Sequence, residues 1–330
     1  MDLPVSQCAP GRGLPVLVAV TAVLLAGCGA RPAVAPSSEP PSLAVLTTVF
    51  PVTALTEAVA GDCAEVSGLL PPGTDPHDHQ ATPADLVRLQ RARLLVSNGL
   101  GFESFLGAAS SEGRPDRLPA GLRVVEASEG IAPIASAQDP AGHDHGGHDH
   151  GSVNPHGWLD PRGAMQQVGT IRDALIQADP SCAEGYRQRA DAYLARLAAL
   201  DRRLEQALAP HRGRTVVTQH AVAPYLARRY GLKTVHLVLE PDTPPSPADL
   251  RRVDAVVRAE GLRGLLVDPG EPPGALRSLA QDRGLTLVPF DPLEVAGVPV
   301  VKSPEHFLQG MERNGDALLE VLGVSPAAPR

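Results

Sequence analysis

The sequence is poor in aromatic residues, which make up 3% of its 330 residues and include a single Trp. This scarcity argues against an aromatic platform on which sugars or nucleobases would stack. The sequence also lacks a basic cluster and carries a net charge of -8 at pH 7, so it does not have the surface that nucleic acids require. It contains no H-E-x-x-H pair, the signature of one large class of zinc hydrolases.

Long hydrophobic runs are also missing. The apolar run from Leu14 to Ala26 is too short to span a bilayer, follows Arg12 and ends in small residues. We therefore predict a secretory signal peptide over residues 1–27 rather than an anchor helix. The tetrapeptide Leu-Ala-Gly-Cys resembles a bacterial lipobox and predicts lipidation of Cys28. Residues 28–42 form a Pro- and Ala-rich tether, so the predicted location is extracytoplasmic and lipid-anchored to the cell membrane.

Cysteine is scarce as well, with four residues in the chain. Cys8 lies in the predicted signal peptide and Cys28 is the predicted lipid site. Cys63 and Cys182 remain, and in an oxidising compartment they either form a disulfide or stay apart. Sequence alone does not decide between these alternatives, because pairing depends on the distance between their Cα atoms.

The remaining sequence alternates between strand-like and helix-like segments. This alternation predicts an α/β fold of two lobes, each a parallel sheet flanked by helices. We predict strands over residues 43–49, 64–70, 94–97, 122–126, 215–218, 234–239, 264–267 and 285–290. Apolar residues recur every three or four positions between 181 and 208, which predicts one long helix. It is either a core helix or a rigid strut between an N-terminal lobe (43–180) and a C-terminal lobe (210–330), with the linking helix over 181–209.

Histidines are concentrated in the stretch from His143 to Pro161, whose two halves differ in character. The first half belongs to a Gly/His/Asp-rich loop over residues 138–152, which cannot bury itself and predicts an accessory metal-binding loop. Its candidate ligands are His143, His145, His148 and His150. In the second half, His156 lies between turn-forming residues and a Trp-Leu pair, as expected of a ligand in a folded site.

Ligands of open parallel sheets bind beyond the carboxyl ends of the strands. Residues of metal-binding type that meet this condition are His77, His156, His220 and Asp291. Asp291 also precedes a proline and has an alternative interpretation as turn chemistry, with Asp268 as the substitute ligand. We interpret His79 as a neighbour of the site and Trp158 as a packing residue that reports metal binding by fluorescence. Three other histidines are assigned surface or hydrogen-bonding roles: His211, His236 and His306.

Five segments in order carry a resemblance to a known family: PPGTDPHDHQATPADL, NPHGWLDP, QHAVAPYLARRYGL, EPDTPPSPADL and PFDPLEVAG. Together they resemble the metal-binding solute receptors of bacterial ABC importers, the zinc and manganese group, over nearly all of Leu43 to Leu322. The resemblance implies two α/β lobes joined by one long helix, with the metal in the cleft between them. It implies ligands at His77, His156, His220 and Asp291, a permease partner, a monomer and no enzymatic activity.

The implied ligand set favours zinc, because three imidazoles and one carboxylate suit a borderline ion. Manganese receptors of this family tend to carry a carboxylate at the position of His220. The chain departs from the common zinc pattern at Ala221, where many members have an acid, so the second nitrogen of His220 needs another acceptor. We expect Glu240 or a backbone carbonyl in that role.

Three other functions are weighed against a zinc receptor. A receptor for manganese, copper or nickel would use similar ligands. A zinc hydrolase would need an open coordination position and a general base. An adhesin or a zinc-buffering lipoprotein would rely mainly on the His-rich loop.

Overall fold

The computed structural model describes residues 42–103, 106, 118–119, 121–136, 153–241, 243–270, 272–297 and 303–324. The predicted signal peptide, Cys28 and the tether up to residue 41 lie outside the described residues. So do four predicted accessory ligands, His143, His145, His148 and His150. No helix in the described part of the chain combines the length and apolar character needed to cross a membrane.

The first half forms a four-stranded parallel sheet with the strand order β2-β1-β3-β4. Its strands are β1 (Leu43–Thr47), β2 (Ala64–Gly68), β3 (Leu94–Ser97) and β4 (Arg123–Glu126), and its helices are α1 (Phe50–Ala60), α2 (Pro83–Arg91) and α3 (Pro161–Ala178). The central strands β1 and β3 are apolar along most of their length because helices cover both faces of the sheet. A capping box between Thr82 and Asp85 starts α2, with Pro83 in its first turn.

The second half repeats this architecture with the order β6-β5-β7-β8, again all parallel. Its strands are β5 (Thr215–Thr218), β6 (Lys233–His236), β7 (Gly264–Val267) and β8 (Thr286–Pro289). Its helices are α5 (Pro224–Tyr230), α6 (Pro247–Glu260), α7 (Gly274–Arg283) and α8 (Ser303–Val321). Left-handed glycines end α5, α6 and α7, which lets the chain turn back towards the next strand. The predicted α/β fold with two parallel sheets is confirmed.

The long helix between the two sheets is α4 (Ala183–Leu208). All seven positions of its predicted apolar face are buried: Tyr186, Ala190, Tyr193, Leu197, Leu200, Leu204 and Leu208. One buried carboxylate interrupts this face. Asp201 accepts hydrogen bonds from Arg162 of α3 and from Arg229 and Tyr230 of α5, so α4 is bonded to helices of both halves.

The two halves share one hydrophobic core. Its largest cluster includes residues of both sheets together with α1, α3, α4 and α8. Helix α8 follows the second sheet but packs against α1 of the first, where the rings of Phe50 and His306 meet edge to face with centroids 5.6 Å apart. The structure also joins Cys63 to Cys182, with Cα atoms 6.2 Å apart, and this disulfide ties the end of α1 to the start of α4.

Candidate metal centre

Four side chains from distant parts of the chain converge at the carboxyl ends of the two sheets. His77, His156, His220 and Glu294 each offer one ligand atom, and these atoms lie within 4.8 Å of one another. Three of the four are sequence-predicted ligands. The carboxylate is Glu294, and Asp291 is not part of the group.

His77 lies in the loop between β2 and α2. Gly73 adopts a left-handed conformation in this loop, and its N–H donates to the carbonyl of Ala296 at 2.9 Å, so the loop contacts the segment after β8. The backbone N–H of His77 donates to Asp75 Oδ1 at 2.8 Å. Its Nδ1 lies 2.8 Å from Glu240 Oε2, and its Nε2 lies on the side of Glu294, 3.4 Å from Oε1.

His156 is held by its neighbour Asn154. Both the backbone N–H and Nδ1 of His156 lie within hydrogen-bond distance of Asn154 Oδ1, at 3.1 and 3.0 Å. The amide of Asn154 donates to the carbonyl of Ala221 at 2.6 Å, and the Tyr225 hydroxyl donates to the carbonyl of Asn154 at 2.8 Å. The loops that carry His156 and His220 are thereby bonded to each other.

His220 follows β5, and its orienting partner follows the adjacent strand β7. Its Nδ1 lies 2.7 Å from Asp268 Oδ2. The expectation of Glu240 or a carbonyl in this role is therefore wrong: Asp268 supports His220, whereas Glu240 supports His77. His220 Nε2 is buried and has no hydrogen-bond partner among the described residues. A buried nitrogen without a hydrogen-bond partner, close to three other potential ligand atoms, is expected in a cation-binding site.

Glu294 lies in the loop after β8 and is buried, with 5% of its surface exposed. Its Oε1 is 2.5 Å from His156 Nε2 and 3.4 Å from His77 Nε2. Asp291 lies earlier in the same loop, where its Oδ1 accepts the N–H of Leu293 at 2.8 Å. The side chain of Asp291 is thus engaged in the turn chemistry that was the alternative interpretation for this residue.

The hydrogen bonds of Asn154 fix the tautomer of His156. The Asn154 amide donates to Ala221, so its Oδ1 is the acceptor that faces His156, and His156 Nδ1 must be a donor. The lone pair of Nε2 is then on the side of Glu294, whose Oε1 lies 2.5 Å away. A cation could bind these two atoms together.

The charges around the site oppose the effect of burial. Burial alone would raise the pKa of Glu294, but contacts with His156 and His77 hold that pKa well below its usual range. Burial lowers the pKa of His156, and the charge of Glu294 only partly opposes that effect. Burial alone would lower the pKa of His77, but the hydrogen bonds that its ring donates to Glu240 and Glu294 outweigh burial and raise the pKa to about 11. For His220, Asp268 likewise outweighs burial and raises the pKa.

Two aromatic side chains close the inner wall of the site. Trp158 is fully buried, and its ring centroid lies 5.1 Å from that of His156. Phe102 packs against His77 and Trp158 with centroids 5.5 Å away in each case. His79 is a neighbour outside the group, with Nε2 3.2 Å from Asp85 Oδ2.

Four residues have roles in the site that differ from the sequence predictions: Glu294, Asn154, Asp268 and Glu240. A signal for Glu294 was present, because it is a second carboxylate in the segment after the last strand. Asp268 directly follows β7, and the position of β7 beside β5 is known only from the strand order. Asn154 stands two residues before His156, a spacing that suits an Asx turn.

Comparison with known proteins shows which family the sequence belongs to. The family model described as zinc-uptake complex component A, periplasmic (ZnuA) matches residues 45–321. The chain is similar to the high-affinity zinc uptake system protein ZnuA of Bacillus subtilis, at 29% identity over 93% of this chain and 96% of that protein. It is also similar to the iron-binding protein YfeA of Yersinia pestis, at 31% identity over 68% of each chain.

A third relative is the zinc-binding lipoprotein AdcA of Streptococcus pneumoniae, which is 30% identical over 84% of this chain and 55% of AdcA. The chain thus spans about half the length of that relative. The crystal structure of the Zn(II)-bound ZnuA-like domain of AdcA superposes with a TM-score of 0.71 at 28% identity, covering 85% of this chain and 98% of that domain. From the extent of the family match, the chain belongs to the periplasmic zinc-uptake component A (ZnuA) family.

Proposed function

We propose that this protein is an extracytoplasmic receptor that captures Zn(II) and delivers it to the permease of an ABC-type importer. One observation carries the proposal: three imidazole nitrogens and one carboxylate oxygen converge within 4.8 Å at the carboxyl ends of the two sheets. The family is that of an uptake-complex component, and two of the relatives above are named for zinc.

The proposed ligands are His77, His156, His220 and Glu294. Three neutral imidazoles and one carboxylate around Zn(II) leave a net charge of one positive unit and satisfy its preference for four ligands at about 2.0 to 2.2 Å. Four protein donors close the tetrahedron, whereas a catalytic zinc keeps one position open for water. This difference favours a receptor over a zinc hydrolase.

Each of the three histidines has a hydrogen-bond acceptor beside its Nδ1 atom. The acceptor is Glu240 for His77, Asn154 for His156 and Asp268 for His220. The Nε2 atom of each imidazole is thereby left to bind the ion. Such contacts fix the tautomer and orientation of a ligating imidazole and raise its basicity. These three acceptors therefore favour the imidazole orientations that zinc binding requires.

The choice of Glu294 over Asp291 is tested by paired substitutions. Glu294→Gln and His156→Ala should each weaken zinc binding at least tenfold, measured by competition with a chromophoric chelator. Asp291→Asn should cost much less, because Asn keeps the oxygen that accepts the Leu293 N–H. Glu184→Gln on the exposed face of α4 is the matched control. Unchanged tight binding in Glu294→Gln, or the larger loss in Asp291→Asn, would overturn the assignment.

Another divalent metal is the second candidate, and the similarity to a protein named for iron binding favours testing it. Three nitrogen donors suit zinc better than manganese, which prefers oxygen ligands. Elemental analysis of the purified protein, followed by competition of Zn(II) against Fe(II) and Mn(II), separates the two. Retention of iron or manganese in the presence of equimolar zinc would contradict the zinc proposal.

The proposal extends to the whole chain. Residues 1–27 would be removed as a signal peptide, lipidated Cys28 and the tether to residue 42 would anchor the protein, and the folded monomer would comprise lobes 43–180 and 210–330 with the linking helix 181–209. Relatives named as lipoproteins support the anchor. Labelled palmitate should enter the wild-type chain and not a Cys28→Ser variant; equal labelling of both would reject Cys28 as the lipid site.

A further inference from the structure

A buried hydrogen bond joins the loop of His156 to the loop of Glu294. The indole N–H of Trp158 donates to the carbonyl of Pro292 at 2.8 Å. Trp158 lies in a single 3-10 turn, Gly157–Leu159, directly after His156. Pro292 lies two residues before Glu294. The bond therefore connects two segments that carry ligands and that belong to different halves of the sequence.

The Glu294 loop is held on its other side by α8. Asn314 accepts the N–H of Asp291 at 2.8 Å and donates its amide to the carbonyl of the same residue at 2.6 Å. Asp291 in turn accepts the N–H of Leu293, whose φ of 59° is unfavourable for a branched side chain. Leu293 is buried against Gly310 of α8, where an added Cβ would overlap its side chain.

We propose that Trp158 is a positioning residue for metal binding, which acts by fixing Pro292 and through it the carboxylate of Glu294. Trp158 and the Asn314 pair hold the segment from Asp291 to Glu294 from two sides. His156 and Glu294 consequently lie side by side, with Nε2 and Oε1 in contact. This inference rests on the proposed function and assigns a part in it to a side chain that offers no ligand atom.

Trp158 also packs against Phe102 and His156, so the experiment must distinguish the effect of its N–H hydrogen bond from the effect of its ring packing. Trp158→Phe keeps an aromatic ring in the pocket and removes the donor to Pro292. Tyr193→Phe is the matched control, because the Tyr193 hydroxyl also donates to a prolyl carbonyl, that of Pro304, at 2.9 Å and away from the site. Each variant loses one hydrogen bond to a prolyl carbonyl, but only Trp158→Phe loses it next to a proposed metal ligand.

The test is a double-mutant cycle read by zinc affinity. Trp158→Phe should weaken zinc binding about tenfold in the wild-type background, a loss typical of changes around metal ligands. In the Glu294→Gln background the same change should alter affinity by no more than about twofold, because the carboxylate it positions is gone. Co(II) in place of zinc should show a changed visible absorption spectrum in Trp158→Phe and an unchanged spectrum in Tyr193→Phe.

Three outcomes would overturn the inference. Trp158→Phe could leave zinc affinity and the Co(II) spectrum unchanged, or it could cost the same in both backgrounds, as a general packing defect would. Wild-type affinity that survives Glu294→Gln would remove both this inference and the ligand set, whereas the first two outcomes leave the ligand set intact. If Trp158→Phe lowers the thermal midpoint of the metal-free protein, Asn314→Ala substitutes for it and should give the same dependence on Glu294.

Discussion

At the scale of single residues, the site depends on which nitrogen of each imidazole is hydrogen-bonded to the protein and which is left to bind metal. Acceptors lie beside the Nδ1 atoms of His77, His156 and His220, and all three Nε2 atoms face inward. The carboxylates also differ in which contacts they already make. Asp291 accepts a backbone hydrogen bond in a turn, and Asp268 accepts a hydrogen bond from His220. Glu294 is the carboxylate directed into the group.

Protons compete with zinc for the imidazole nitrogens, which gives a prediction about pH. Burial alone would lower the pKa values of His77 and His220, but Glu240 and Glu294 raise the pKa of His77 to about 11 and Asp268 raises that of His220. Zinc binds the deprotonated atoms, so binding must release protons and affinity must rise as pH increases from about 5.5 to 8. Calorimetry in two buffers of different ionisation enthalpy should show release of at least one proton per zinc. An enthalpy independent of the buffer, with flat affinity over this range, would contradict it.

At the scale of elements, local pattern set the strands and helices, and tertiary contacts set their ends. Strand β6 was predicted to run to residue 239 but ends at His236. There the N–H groups of Leu237 and Val238 turn to the carbonyl of Gln219, and the chain leaves the sheet beside His220. Strand β1 ends before its predicted limit because α1 begins at Phe50.

Helix α8 supplies a prediction about a glycine. Gly310→Ala places a methyl group against Leu293, so it should displace the Glu294 loop, weaken zinc binding several-fold and destabilise the fold by about 1 to 3 kcal/mol. Gly169→Ala in α3 is the control: nothing lies within 4 Å of the added Cβ, and it should stabilise the fold by up to about 1 kcal/mol. Chelator competition and thermal unfolding measure both effects. Equal behaviour of the two variants would show that Gly310 does not hold the loop.

At the scale of the whole molecule, the two halves do not behave as independent bodies. They share the main core, α8 packs against α1, and Asp201 of α4 binds side chains of α3 and α5. Separating the sheets would expose this apolar core to water, which is costly. We therefore expect metal entry to involve the loops around His77 and Glu294 rather than a wide opening of the two halves.

The His-rich loop gives a prediction about stoichiometry. Deletion of Gly142 to Gly151 removes four histidines but none of the four converging ligands. A zinc titration of the variant should lose weak binding equivalents and keep one tight site, because Gly/His/Asp repeats bind metal without a fixed geometry. The intact protein is the reference. Loss of the tight site on deletion would place the loop in the site itself and favour the zinc-buffering alternative.

Sequence by itself determined the α/β class, the positions of the strands and of the long helix, and three of the four converging residues. Periodicity is local, and His77, His156 and His220 stand in short motifs after strand-like or turn-forming segments, so both signals are readable along the chain. Whether Cys63 meets Cys182 was left open, since that contact depends on how α1 packs against α4.

Only the tertiary structure decided which carboxylate completes the site and what holds each imidazole. His156 and Glu294 are 138 positions apart, and their contact depends on the packing of two sheets around a common core. Asp291 and Glu294 lie in the same short loop, which turns at Leu293 in a left-handed conformation. The Asp291 carboxylate accepts a backbone hydrogen bond there, and the Glu294 carboxylate points towards the three histidines. Sequence spacing cannot encode that choice, because it depends on Asn314, Trp158 and Gly310, which lie on other elements.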